Sequence, residues 1–168
     1  GLKHAMQQAL YSESKLVAVR YPRGAQRAIP ESIKPTFADF DVFGDENAEK
    51  AIITYGRTFS ACAFAYEKLV NSGESVKLIK LNRIIPVCEG AVEAAKNCKD
   101  VYFFEEGIRR GGAGEGFLFD LSKAGFSGKY HLRAIENGFV KQASVESLLH
   151  KYGFDEEGVL SFVTSAED

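Results

Sequence analysis

Four short apolar runs recur along this chain, each separated from the next by a segment with helical spacing. The runs lie at 51–55, 75–80, 101–105 and 129–135. The first of them, Ala51-Ile52-Ile53-Thr54-Tyr55, is apolar on both sides of the pleat, which fits a strand covered on two faces. Helices are predicted over 59–70, 88–96 and 116–124. In the second of these, Cys88, Ala91, Val92 and Ala95 share a face. Strands alternating with helices of roughly ten residues imply a mostly parallel sheet with helices packed on both sides. The expected fold class is therefore α/β, a three-layer sandwich with one antiparallel edge strand. Residues 37–43 supply that edge, and the turn Gly44-Asp45-Glu46-Asn47 would join it to 51–55 as a hairpin. Thr58 or Ser60 is available to cap the helix after Gly56. Ser144 caps a helix through Tyr152, and Asp155 caps a last one over 156–163.

Two elements precede this alternation. Leu2, Met6 and Leu10 mark one face of a helix over 2–10. Residues 15–20 read as a short buried strand. The polar stretch 25–36, with Pro30 and Pro35, reads as a linker. The predicted organisation is thus 1–24 as the end of a preceding domain, 25–36 as linker and 37–168 as a second domain.

The formal net charge is −2 with both signs interspersed, and no basic stripe marks a nucleic-acid binder. No apolar run has the length of a membrane span, and the N-terminus carries no signal core. The three cysteines, Cys62, Cys88 and Cys98, have no metal-ligand or redox spacing. Cys62 and Cys88 lie in apolar surroundings and read as small buried hydrophobes. A reducing cytoplasm is the expected compartment.

Candidate sites are few. Arg20-Tyr21-Pro22-Arg23-Gly24 is a stiff loop after an apolar run. Proline fixes its own φ and restricts Tyr21, while Gly24 permits a sharp turn. Arg23 would then offer a planar fork of donors to a carboxylate or phosphate, or else serve as a surface arginine in a turn. Gly111-Gly112-Ala113-Gly114-Glu115-Gly116 precedes a helix and could hold an anion on its amides. It lacks the Lys-Ser/Thr of a P-loop and the full dinucleotide-binding spacing. Glu115 also places negative charge there. Close backbone packing, within the domain or across a subunit contact, is the structural reading of Gly111, Gly112, Gly114 and Gly116. Glu105 and Glu106 end a strand just before that loop. Paired acids there can do acid–base chemistry or accept hydrogen bonds from the loop's amides. Arg109-Arg110 is a small positive patch. His4, His131 and His150 are scattered, with no metal-ligand spacing.

Taken in order, these segments resemble the C-terminal part of the 1-deoxy-D-xylulose-5-phosphate synthase family, within the transketolase superfamily. The resemblance is carried by 17–24, ending in Arg20-Tyr21-Pro22-Arg23-Gly24, and by Ala51-Ile52-Ile53-Thr54-Tyr55-Gly56. It continues through Leu81-Asn82-Arg83-Ile84-Ile85-Pro86-Val87, through Phe104-Glu105-Glu106 with the glycine run, and through Tyr152-Gly153-Phe154-Asp155-Glu156-Glu157-Gly158-Val159. Gln142-Ala143 and Asn97-Cys98-Lys99-Asp100 depart from the family pattern and bear on its subunit contacts.

The resemblance implies a transferase that condenses pyruvate with D-glyceraldehyde 3-phosphate, a step toward isoprenoid, thiamine and pyridoxal precursors. Thiamine diphosphate and Mg²⁺ serve the whole enzyme from upstream domains of the same polypeptide, which forms a homodimer. No catalytic, cofactor or metal residue is expected in this segment, and by itself it would be inactive. Arg23 is implied to bind the substrate phosphate. The competing expectation is a C-terminal interaction domain of a transketolase or of a two-component 2-oxo acid dehydrogenase beta subunit. A third is a free-standing domain that binds a small regulatory molecule.

Overall fold

The computed structural model describes residues 2–12, 16–19, 21, 25, 27–136 and 138–165. Arg20, Pro22, Arg23 and Gly24 lie outside the described residues.

Five strands form one sheet: β1 (Phe40–Phe43), β2 (Lys50–Tyr55), β3 (Val76–Leu81), β4 (Asp100–Ile108) and β5 (Lys129–Ile135). Their spatial order is β1-β3-β2-β4-β5. β2, β3, β4 and β5 run parallel, and β1 lies antiparallel to β3. The expected antiparallel edge strand is present, but the expected hairpin is not. Phe40 faces Leu81 and Phe43 faces Leu78, so β1 pairs with β3 and sits two places away from β2. β2 has β3 and β4 on its two sides, which leaves no room for β1 beside it.

Period-two burial divides the sheet into two faces. Ile52, Leu78, Tyr102 and Phe104 pack against α2 (Phe59–Asn71), α5 (Val145–Tyr152) and α6 (Glu156–Thr164). Ala51, Ile53, Ile79, Val101 and Phe103 pack against α3 (Glu89–Ala95) and α4 (Ala113–Lys123). The three layers follow from apolar positions on both sides of each central strand. One buried cation interrupts this interior. Lys77 is 2% exposed, and its ammonium donates to Glu46 O at 2.6 Å and to Ala94 O at 2.8 Å. It thereby ties the turn before β2 to the C-terminal turn of α3.

The N-terminal helix forms as α1 (Leu2–Leu10), and none of its residues is buried. His4 stacks on Phe37 with ring centroids 4.1 Å apart. Of the expected strand over 15–20, Lys15 and Arg20 lie outside the described residues, while Leu16 to Val19 join no sheet and Leu16 is exposed. Further on, Ile33 is buried against α2, and Ser60 Oγ donates to Ala28 O at 2.5 Å. Thr58 precedes α2 without capping it by its side chain. Its hydroxyl donates to Tyr55 O at 2.8 Å through a short 3₁₀ turn, Gly56–Thr58.

The last two helices are capped as their sequences imply. Ser144 Oγ accepts from Ser147 N at 3.2 Å, and Asp155 Oδ1 accepts from Gly158 N at 2.9 Å. α5 ends at Gly153, whose φ of 69° suits glycine. Gly153 N then donates to His150 O and Phe154 N to Leu149 O. His150 Nδ1 lies 2.6 Å from the Asp155 carboxylate, and this hydrogen bond holds the imidazole above its usual value. Burial works to raise the Asp155 carboxyl, but its bonds to His150 and Gly158 outweigh that and hold it low.

Asp155→Ala is expected to destabilise the chain by about 1 kcal/mol through loss of the cap. The loss is expected to be greater at about pH 5.5 than at about pH 8.5, because the contribution of a raised histidine is complete below its unfolded value and fades as pH rises through the folded one. Urea denaturation at the two pH values measures both effects.

Candidate functional site

The parallel strands point their C-terminal ends toward one side of the sheet. From β2 the chain departs through α2 on one face to β3. From β4 it departs through α4 on the other face to β5. Between the ends of β2 and β4 lies the crevice that such a switch creates. The residues on its two lips are Tyr55 and Arg57 from β2 and the turn after it, and Glu105 and Glu106 from β4.

Glu105 is 1% exposed and its carboxylate is fully engaged. Oε2 accepts from Ala113 N at 3.0 Å and from the Tyr55 hydroxyl at 3.0 Å, and Oε1 accepts from Gly114 N at 3.2 Å. Those two amides open α4, so a carboxylate from the neighbouring strand caps the helix and meets its positive end. α4 begins at Ala113, three residues before the expected start at Gly116. The glycine run therefore supplies the first helical turn rather than a loop ahead of it.

Sterics explain two of its glycines. A Cβ on Gly112 would overlap Glu105 Oε1 and the Ile108 carbonyl, and a Cβ on Gly114 would overlap the Leu132 side chain. Gly111 takes φ 73°, and its amide donates to Glu115 Oε2 at 2.8 Å. Gly116 meets nothing within 4 Å. The Tyr55 phenol is pushed up by burial and by the charge of Glu105. Tyr130 donates to Gly114 O at 2.7 Å and is raised by the same two causes.

Glu106 points away from this cluster. Its carboxylate lies 3.8 Å from Arg57 Nε. Arg57 and Glu106 border a cavity of about 130 Å³ with Ile135, Leu148, Leu149, Tyr152 and Phe154. The two adjacent acids thus have separate surroundings. Sequence alone did not single out Tyr55, Tyr130 or Arg57; the signal for the first and third was their place around Gly56, where β2 ends.

The remaining candidates are scattered. Arg109 donates to Glu136 Oε1 at 2.7 Å and to Leu132 O at 2.8 Å. Arg110 is exposed. His131 Nε2 lies 2.9 Å from Asp100 Oδ1, and its ring stacks on Tyr102. Among the described residues no two of the three histidines share a partner. Burial pushes the Cys62 thiol up to about 12, far from a reactive thiolate. Among the described residues no group of three or more His, Cys, Asp or Glu side chains is arranged to hold a metal ion. Nor is any described helix long and apolar enough to cross a membrane.

Residues 44–159 match the family described as transketolase, C-terminal domain. The chain belongs to this family. Among its curated relatives is 1-deoxy-D-xylulose-5-phosphate synthase of Geobacillus thermodenitrificans, 28% identical over 90% of this chain and 25% of the relative. The proteins of the same name from Shouchella clausii and Bacteroides fragilis are 24% and 27% identical, each over 97% of this chain and 26% of the relative. The chain thus spans about a quarter of the length of these relatives. A solved structure described as split gene transketolase, inactive beta4 tetramer, superposes with a TM-score of 0.66 at 20% identity, over 82% of this chain and 45% of that one. That likeness confirms the three-layer α/β fold.

Glu105→Ala is expected to destabilise the domain by about 3 kcal/mol, since it leaves two helix-start amides and a buried hydroxyl without an acceptor. Tyr55→Phe is expected to cost about 1 kcal/mol. The glycines should divide in the same urea titrations. Gly112→Ala is expected to destabilise, whereas Gly116→Ala, in an open helical position, is expected to stabilise by about 0.5–1 kcal/mol.

Proposed function

We propose that this chain is the C-terminal part of a 1-deoxy-D-xylulose-5-phosphate synthase, a transferase that joins pyruvate to D-glyceraldehyde 3-phosphate. The supporting observation is the reach of the likeness. It extends over 97% of the chain in two relatives of that name, and so takes in residues ahead of 44, where the family match begins. Those residues include Arg20-Tyr21-Pro22-Arg23-Gly24. In this reading 1–24 closes a preceding pyrimidine-binding domain, 25–36 is the connection and 37–168 is the C-terminal domain.

Arg23 binds the phosphate of the aldehyde substrate. A guanidinium suits this task because it offers parallel donors to two oxygens of a dianion. A rigid Tyr-Pro step fixes the direction in which they point. The domain beyond it holds that loop against the rest of the polypeptide and contributes to assembly of a homodimer in the cytoplasm.

Thiamine diphosphate and Mg²⁺ belong to the upstream domains. The described residues do not fit them. The helix start most suited to a diphosphate, that of α4, already carries the Glu105 carboxylate, and a second anion there would meet its charge. No step of the reaction is assigned to the described residues.

Arg23→Ala, made in the whole polypeptide, is expected to raise KM for D-glyceraldehyde 3-phosphate about 10- to 100-fold while leaving KM for pyruvate within about twofold. Steady-state kinetics with each substrate varied in turn makes the comparison. Equal losses for both substrates would remove Arg23 from the phosphate site.

A further inference from the structure

The crevice between β2 and β4 holds a loose ion pair. Arg57 Nε and Glu106 Oε2 are 3.8 Å apart, beyond hydrogen-bond distance. The Arg57 side chain is only 21% exposed, yet among the described residues it has no hydrogen-bond partner. Its nitrogens stay within reach of water, since Arg133 Nε is the one buried side-chain atom without a hydrogen-bond partner among the described residues. Glu106 is also without a hydrogen bond among the described residues, and its side chain is 40% exposed. Both groups border the same cavity of about 130 Å³, whose other walls include Ile135, Val140, Leu148 and Leu149.

This combination selects its ligand by charge and size. A simple carboxylate drawn to Arg57 would be opposed by Glu106. A simple amine drawn to Glu106 would be opposed by Arg57. A zwitterion whose two charged groups share one carbon can pair with both lips at once. The apolar walls then call for a hydrocarbon side chain. A space of about 130 Å³ takes a small hydrocarbon group such as an isopropyl or isobutyl side chain.

We propose that this crevice binds a free α-amino acid with a branched apolar side chain of the size of valine or leucine. The carboxylate lies on Arg57, the ammonium on Glu106 and the side chain in the cavity. The site is formed by the C-terminal domain itself and does not depend on which reaction the whole polypeptide catalyses.

The test is a titration of the 168-residue chain with L-leucine, followed by methyl NMR at Ile135, Val140, Leu148 and Leu149. Saturable shifts at these methyls are expected, with a roughly millimolar dissociation constant for so small a ligand. Leucinamide lacks the carboxylate and N-acetyl-leucine lacks the ammonium. Each is expected to bind about tenfold more weakly or worse, and glycine to leave the methyls unmoved. Arg57→Met and Glu106→Gln, whose unliganded spectra report on folding, are each expected to weaken leucine by about tenfold. Leu148→Phe is expected to fill the cavity and abolish the shifts. The analogue series uses unaltered protein and stands even if a variant fails to fold. Absence of saturable shifts up to about 50 mM leucine would overturn the proposal. So would equal responses to leucine, leucinamide and N-acetyl-leucine, because the two charges would then not be read.

Discussion

A carboxylate buried at the seam of a sheet and a helix governs how this domain is put together. An ionised group taken out of water costs several kcal/mol unless hydrogen bonds replace its hydration. Glu105 receives three, from the Ala113 and Gly114 amides and from Tyr55. The donors come from β2 and from the start of α4, while the acceptor stands on β4. One side chain therefore fixes the distance between two central strands and the angle at which a helix leaves the sheet. Its position also dictates the residues around it. Gly112 and Gly114 lack side chains where the carboxylate and Leu132 need the space. The tyrosines at 55 and 130 stay protonated because burial and the nearby negative charge both oppose ionisation.

The same carboxylate changes what a glycine-rich helix start means. Such a start in an α/β protein usually invites a phosphate. Here the anion is built in, so the local positive field is spent on holding the protein together. The neighbouring acid, one residue later on the strand, faces the other way and is only loosely paired with Arg57. Reversal of direction at successive strand positions thus separates a structural carboxylate from an available one. The arginine loop at 20–24 and the crevice at Arg57 are different places in the sequence.

Much of the fold is legible in the sequence because each central strand is apolar on both sides and each helix carries a regular stripe. The caps at Ser144 and Asp155 are legible for a simpler reason, since a hydroxyl or carboxylate ahead of an amphipathic run satisfies amides that nothing else reaches. The partner of β1 was not legible. A turn such as 44–47 suggests that flanking strands pair, yet pairing depends on which strand edges remain free after the core has formed, and that is a property of the whole sheet. The start of α4 was hidden for a related reason. Glycines lower helix propensity, and only the contact with Glu105 from another strand makes Ala113–Lys123 helical from its first residue. Arg57 carries no periodic or spacing signal, so its place beside Glu106 depended on β2 and β4 being neighbours in the sheet.

β5 borders only β4, so one side of a seven-residue strand has no ladder partner among the described residues. An open margin of this kind is a template for intermolecular strand addition. Lys129, His131 and Arg133 recur at every second position along it. Two of these side chains are engaged within the domain, since His131 stacks on Tyr102 and Arg133 lies over the Phe162 ring, which leaves Lys129 as the exposed cation at the start of the strand. A lysine at the entrance of an open strand margin is the kind of charge that discourages the addition of another strand.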